Sequence, residues 1–412
     1  MSGNRATRAA LDYNRLSLML LFCVVAYNEF IVYYNYHRSW PEVSQEENVL
    51  KALLVADPQI QGASDMDNWL LGIITRWDSD RYLSKTFSWA KYAYAPDVVI
   101  FLGDLMDEGS ESTDNEYFDY YKRFKGIYDT KAAKIFVAGD NDIGGEGTDP
   151  LTPEKVSRFK KYFPAHPTFL FQVSPEKVVQ RYELEDEESE KYPIVEIVPA
   201  NLLTFKSAEE SWFGVSSQPH PSVKFRVVVS HMPILPNPAP IFSKEVMKYL
   251  HPSVIFSAHD HRGLDFTIVR DNANGKPFGN VTIFTQNRSF DDGDKDEPDE
   301  IKIHSSENHI HEIIVPTCSY RMGVKEMALG LVTIAFDKQG IGEVTYFNLW
   351  LPSRFPLLFV YLATLSISCT LFLIGRVKKR TNYAGGRRLS STSTLRGRRG
   401  SMKTNAHFSK LV

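Results

Sequence analysis

The sequence predicts an α/β fold in which a large body built on a parallel sheet lies between two membrane-spanning helices. Two observations carry this. Short Val- and Ile-rich runs recur and several end in polar clusters, while two longer apolar runs lie towards the ends of the chain with positive charge on their outer flanks. The 412 residues are 43% hydrophobic and 24% charged, a composition that suits a folded chain with a sizeable core. The net charge of −3 hides an asymmetry: residues 376–412 hold eleven Lys/Arg and no Asp/Glu, which leaves −14 on the remainder. A basic tail on an acidic body argues against a nucleic-acid-binding domain.

From the N-terminus, residues 1–15 carry Arg5, Arg8 and Arg15 and are expected on the cytoplasmic side. Residues 16–34 form the first apolar run, interrupted by Asn28 and Glu29, with Tyr27, Tyr33, Tyr34 and Tyr36 clustered at its far end. It fits a signal anchor or a cleaved signal peptide, and both put residues 35–354 on the lumenal side. Residues 355–374 are apolar and uncharged, long enough to cross a bilayer, and are followed by Arg376, Lys378, Lys379 and Arg380. Residues 375–412 read as an unfolded cytoplasmic tail, because low hydrophobicity and high net charge support no core. Asn280-Val281-Thr282 and Asn287-Arg288-Ser289 are glycosylation sequons in the body, consistent with lumenal placement. Cys23 and Cys369 lie in the apolar runs, so Cys318 stands alone and no disulfide framework is available.

Within the body, strands are expected at residues 50–56, 98–102, 135–138, 225–229 and 254–256, all apolar enough to be buried on both faces. Helix-length stretches at 67–93 and 115–128 separate the early strands, and strand, crossover helix and strand imply parallel pairing. Later strands at 281–285, 310–315 and 329–336 suggest a second sheet, and the acidic run 183–190 reads as a solvated loop.

Each of the first five strands runs into residues that can bind metal. They are Asp57-Pro58-Gln59, Gly103-Asp104, Gly139-Asp140-Asn141-Asp142, Ser230-His231, and His259-Asp260-His261. Ligands of α/β sheets bind at the carboxyl ends of strands, so the architecture brings these five clusters to one place. Singly, a Gly-Asp after a strand also caps a turn, and a lone histidine is more often hydrogen-bonded than ligating. Jointly, mixed carboxylate and imidazole donors in this order suit a pair of divalent cations such as Mn, Fe or Zn, which activate a water and neutralise phosphoryl oxygens.

The order of blocks resembles the calcineurin-like metallophosphoesterase superfamily, with its D-x-H, G-D-x-x-D, G-N-H-[ED], H and G-H-x-H blocks, over residues 50–349. Gly103-Asp104-Leu105-Met106-Asp107 matches the second block in full. The surroundings of the blocks, the two apolar flanks and Ser319-Tyr320-Arg321-Met322-Gly323 look like one branch. Its members remove ethanolamine phosphate from glycosylphosphatidylinositol (GPI) anchors in the endoplasmic reticulum. The resemblance implies a four-layer αββα sandwich and two divalent metal ions, Mn ahead of Fe or Zn. It implies that Asp57, Asp104 and His261, with Gln59 beside them, hold one ion. Asp104 would bridge to the other, which Asp140, His231 and His259 complete.

The activity implied is a phosphodiesterase acting on a mannose-linked ethanolamine phosphate and so assisting exit of GPI-anchored proteins. GPI glycolipid or GPI-anchored protein and the export machinery would be its partners, in the endoplasmic reticulum membrane and also the Golgi. Two further readings stay open: a phosphoesterase for another lipid head group, and a degraded relative that binds GPI cargo for export. The departures bear on that choice. Gln59 stands for the histidine of the first block, Asp140 and Asn141 for the Asn and His of the third, and Ala258 for a glycine. Gln59 ligates less strongly than imidazole, Asp140 adds a charged ligand, and Asn141 cannot serve as the general acid. By position, Asn141 and Asp142 are the catalytic candidates of the third block, with Asp107 a further candidate acid.

Overall fold

The structure, a computed structural model, describes residues 2–43, 48–62, 69–184, 191–236, 239–269, 282–284, 300–304 and 309–396. The chain divides into two units, residues 33–354 and the terminal segments 1–32 and 355–412. It starts with α1 (Ser2–Ala26), which passes through a π-helical turn (Tyr27–Ile31) into α2 (Val32–Arg38).

Sheet one of the larger unit is founded on β1 (Val49–Val55), β2 (Val98–Phe101) and β3 (Ala133–Phe136), paired in parallel. The crossovers are α3 (Trp69–Tyr94) and α4 (Asp114–Ile127). A capping box starts α4: Glu116 N–H donates to Thr113 Oγ1 at 3.4 Å, and Thr113 N–H donates to Glu116 Oε2 at 2.9 Å. The alternation of β1 serves two cores at once. Leu53 and Val55 face Tyr82, Phe87 and Phe124 of the helices, while Leu50, Ala52 and Leu54 face the second sheet. Strand β3 ends two residues before the expected 138, and Val137 keeps one bond to Phe101.

After the short helices α5 (Asp140–Ile143) and α6 (Pro153–Tyr162), the chain builds β4 (Phe169–Val173), β5 (Val178–Arg181) and β6 (Ile194–Pro199). Then come α7 (Ala208–Ser211), β7 (Val223–Val229), α8 (Pro240–Glu245), β8 (Val254–Ser257), β9 (Leu264–Val269), β10 (Thr282–Phe284), β11 (Glu300–His304) and β12 (His309–Ile314). The closing hairpin is β13 (Ala328–Phe336) and β14 (Gly342–Trp350).

The strand orders are β11-β14-β13-β1-β2-β3 and β10-β9-β12-β8-β7-β6-β4-β5. Both sheets are therefore mixed rather than parallel: β13 returns antiparallel beside β1, and β4, β5 and β9 add antiparallel edges. Phe169, Val195, Phe225 and Phe256 of the second sheet close the core against the first. The second sheet's outer face packs on Trp212, Phe242 and Leu250 of the helical layer.

The smaller unit closes with α9 (Arg354–Arg396). Residues 375–396, expected to be unfolded, continue this helix; Lys and Arg are good helix formers and no proline interrupts them. The polar break in the first apolar run is also accounted for. Asn28 Nδ2 donates to Leu357 O at 2.9 Å and Tyr361 donates to Glu29 at 2.7 Å, so the π-turn aims both polar groups at the second apolar helix. Two helical stretches, Tyr13–Arg38 and Arg354–Lys378, are long and apolar enough to cross a membrane, with mean hydropathies of 1.9 and 2.3.

Candidate metal centre

All seven expected ligands come together, across both sheets rather than one. Asp57 and Gln59 follow β1, Asp104 follows β2 and Asp140 opens α5 after β3, whereas His231 follows β7 and His259 and His261 follow β8. Among the described residues, seven non-glycine residues have positive φ, and five of them are candidate ligands: Asp57 (45°), Gln59 (40°), Asp104 (50°), His259 (73°) and His261 (61°). Left-handed backbone is unfavourable for these residue types and persists where the surroundings impose it, as they do at functional sites. Two glycines make the approach possible. A Cβ on Gly103 would lie 2.4 Å from His231 Nδ1, and one on Gly139 would lie 2.1 Å from Asp104 Oδ1.

The ligand atoms form two overlapping groups, each within a 4.8 Å span: Asp57, Asp104 and His231, and Asp140, His231 and His259. His231 Nδ1 lies 2.9 Å from Leu102 O. A carbonyl only accepts, so Nδ1 carries the proton and Nε2 is presented to Asp140 Oδ1 at 3.0 Å and Asp104 Oδ1 at 3.4 Å. His259 Nδ1 stands 3.3 Å from the same Asp140 oxygen. Burial by itself would lower the His231 pKa, yet Asp104, Asp140 and Asp57 raise it to about 10. Burial would likewise raise Asp140, but its bonds with His231 and His259 hold it well below the usual carboxylate range.

The other group is less settled. Both carboxylate oxygens of Asp57 are buried and have no hydrogen-bond partner among the described residues. Burial, with Asp104 adding to it against the pull of His231, pushes the Asp57 carboxyl up to about 7. A buried carboxylate with nothing to accept from is rarely left so in a folded protein, and a bound cation would satisfy it. The donor set therefore fits divalent metal. Gln59 Nε2 donates to Asp104 Oδ2 at 3.1 Å and lies 3.4 Å from His261 Nε2, so the amide must turn over before its oxygen can ligate.

Asn141 is held against Asp104. Its backbone N–H and its Nδ2 bind the two oxygens of Asp104 at 3.1 and 2.8 Å, which fixes that carboxylate. Asp142, the other catalytic candidate of the third block, is turned to backbone N–H groups. It is wholly buried, with Oδ1 accepting from Leu105 and Met106 N–H and Oδ2 from Gly139 N–H, so it splices the second block to the third. Asp107 is likewise engaged, by Arg321 at 2.8 Å, and the other arm of Arg321 donates to Gln59 O at 3.2 Å.

Sequence reasoning gave Arg321 no role beyond its motif. It also missed Thr317, which donates to Asp57 O at 2.9 Å, and Glu146, whose carboxylate lies 3.7 Å from His259 Nε2. No spacing marks them; they act through tertiary contacts. Beside His259 and Glu146 a cleft of about 530 Å³ opens between Met232, Pro233 and Leu202. Sequons Asn280 and Asn287 lie outside the described residues.

The family described as calcineurin-like phosphoesterase matches residues 50–263, a stretch that holds all seven candidate ligands. Metallophosphoesterase 1 of Danio rerio is 32% identical over 160 residues, 36% of this chain and 40% of its own. The Metallophosphoesterase 1 homolog of Caenorhabditis elegans is 29% identical over 153 residues, again 36% and 40%. The chain thus spans 40% of the length of these curated relatives. A dimetal phosphatase structure from Danio rerio covers 69% of this chain and 94% of its own at 11% identity, with a TM-score of 0.36. With its family match running from β1 through the His-x-His block, the chain belongs to the calcineurin-like phosphoesterases, which are metal-dependent hydrolases of phosphoric esters.

Proposed function

We propose that this protein is a membrane-anchored, two-metal phosphodiesterase of the endoplasmic reticulum lumen that removes ethanolamine phosphate from GPI anchors. The observation that carries the enzyme class is the bare, buried carboxylate of Asp57 at the centre of seven convergent ligands. Asp57, Gln59, Asp104 and His261 would hold one cation, and Asp104, Asp140, His231 and His259 the other. The mixed donors suit Mn, with Fe or Zn next. When bound, the pair supplies Lewis acidity towards a phosphoryl oxygen and lowers the pKa of a water. The chain's own residues do the positioning. Leu102 O orients His231, Asn141 and Gln59 orient Asp104, and Asp142 fixes the loops on which both stand. An amide at position 141 supplies no proton to a leaving oxygen at neutral pH, so esters with good leaving groups should react best.

The substrate reading is supported by the branch resemblance, by the two apolar helices, and by the positive flanks and sequons, which fit a lumenal body with both termini cytoplasmic. Gln59 and Asn141 favour a second reading, a GPI-cargo export factor that no longer hydrolyses. The full chain in detergent should carry two metals per chain and cleave bis(4-nitrophenyl) phosphate faster than 4-nitrophenyl phosphate. GPI glycans of cells lacking it should retain an extra ethanolamine phosphate by mass spectrometry. Metal-free protein without hydrolysis would favour the export factor, and hydrolysis with unchanged glycans would sink the substrate.

A further inference from the structure

Helix α3 has two apolar stretches, and the described residues cover only one of them. Its C-terminal half buries Tyr82, Leu83, Phe87, Ala90 and Tyr94 against sheet one. In its N-terminal half Leu70, Ile73, Ile74 and Trp77 are 53, 47, 51 and 61% exposed. Their spacing of three, four and seven makes one continuous stripe, of the kind that faces the core in a globular protein. Here the same turns send Asp78 and Ser79 inward instead. Scattered surface apolar residues need no explanation, but an aligned stripe ending in tryptophan does.

What lies next to the stripe indicates its occupant. Asp78, four residues past Ile74, is gripped by Arg354 at 2.5 Å and accepts from Tyr320 at 3.0 Å. One turn on, Tyr82 donates to Pro352 O at 2.9 Å. Arg354 is the last residue of the larger unit and is bonded directly to Phe355, where the apolar run of α9 begins. The stripe is therefore fastened within about two helical turns of the place where the chain leaves the catalytic unit for an apolar helix, roughly 1.5 Å per residue. Cations accompany it: the Arg81 guanidinium stands 5.6 Å from the Trp77 ring centroid, and Arg76 donates to Gly62 O at 3.1 Å. An indole with guanidinium groups on apolar stems is what the head-group zone of a phospholipid bilayer accommodates. Arg76 also ties these turns to the segment that carries Asp57 and Gln59.

We propose that residues 70–77 of α3 are a bilayer-contact surface, with Leu70, Ile73, Ile74 and Trp77 in the interfacial zone and Arg76 and Arg81 at phosphate depth. This rests on the reading of α9 as a membrane span. The test uses nitroxide labels on the full chain in phosphatidylcholine–phosphatidylserine vesicles, with Cys23 and Cys369 replaced by serine and Cys318 left buried. Labels are placed by Ile74→Cys, by Tyr92→Cys at the other, 85% exposed end of the helix, and by Leu365→Cys in α9. Oxygen over water-soluble nickel accessibility should be several-fold higher at 74 than at 92 and comparable to 365. Water access at 74 with lipid access at 365 would overturn the contact surface alone. Water access at 365 would remove the span on which it rests. A label at 74 shielded from both agents would mean that protein, a second copy included, covers the stripe, and would overturn the proposal as well.

Discussion

The two halves of the candidate metal centre contrast in how far protein alone satisfies them. Asp140, His231 and His259 form a joined set: Asp140 Oδ1 lies 3.0 Å from His231 Nε2 and 3.3 Å from His259 Nδ1, and Leu102 O fixes the shared imidazole. The Asp57 half is open. Its carboxylate accepts no hydrogen bond from the described residues, and Gln59 two positions on offers an amide where the family has imidazole. The difference teaches that one half is preorganised by hydrogen bonds while the other is completed by what it binds. The same arrangement explains why both glycine blocks matter, since each glycine admits a ligand of the other sheet or block to van der Waals distance.

The largest test of that contrast removes one charge from each half. Asp57→Asn and Asp140→Asn should each lower turnover on the order of a thousandfold, the scale of losing a stabiliser of transition-state charge. Their metal-stripped stabilities should move in opposite directions. Asp57→Asn removes an unpartnered buried charge and should raise stability by about 1–3 kcal/mol, the cost of an unmet buried group. Asp140→Asn breaks the bonds to two histidines and should lower it by a similar amount. Chemical denaturation of the stripped proteins reads both signs. Two losses of equal size would mean that the halves are equally satisfied without metal.

A smaller effect is expected from restoring the family's donor by Gln59→His. The amide nitrogen of Gln59 points at Asp104 and His261, so an imidazole there replaces a donor with a ligand. Competition with a chelating dye should show several-fold tighter binding of one metal and no change in the other. Equal tightening of both would show that the halves do not act separately.

Much of this centre was legible in the sequence because strands buried on both faces read as apolar runs, and a carboxylate or histidine at the end of such a run stands out. Asp57, Asp104 and His231 were visible for that reason. The split of the ligands between two sheets was not, because the pairing of β7 with β6 rather than with β3 is a long-range choice that no local pattern records. Roles set by tertiary hydrogen bonds were equally hidden. Asp142 sits in the acidic position of its block but turns both oxygens to backbone N–H groups, and Arg321 joins segments more than two hundred residues apart in sequence. The stripe on α3 illustrates the opposite problem: its spacing is that of a core-facing helix, and only burial shows that it looks outward.

The smallest effect probes how the joined half is held from behind. Glu312 on β12 is wholly buried; its Oε1 accepts from Ile234 N–H and Ser257 Oγ at 2.7 Å, and its Oε2 accepts from Leu235 N–H at 2.5 Å. It thereby clamps the segment three residues past His231 to the strand end two residues before His259. Burial, helped by Asp260 and opposed by these three bonds, pushes its pKa up to about 7. In the unfolded chain the group titrates near 4.5, so between the two values the folded state holds the extra proton. Stability from this group is therefore greatest below about pH 4.5 and declines as pH rises to 7, by at most about 3.5 kcal/mol at roughly 1.4 kcal/mol per unit. Glu312→Gln cannot ionise and should flatten that decline between pH 5 and 8 in the metal-stripped protein, while losing one acceptor and some stability at every pH. Melting temperatures of the two proteins across this range decide it: parallel curves would show that Glu312 stays ionised throughout and that the clamp carries no pH dependence of its own.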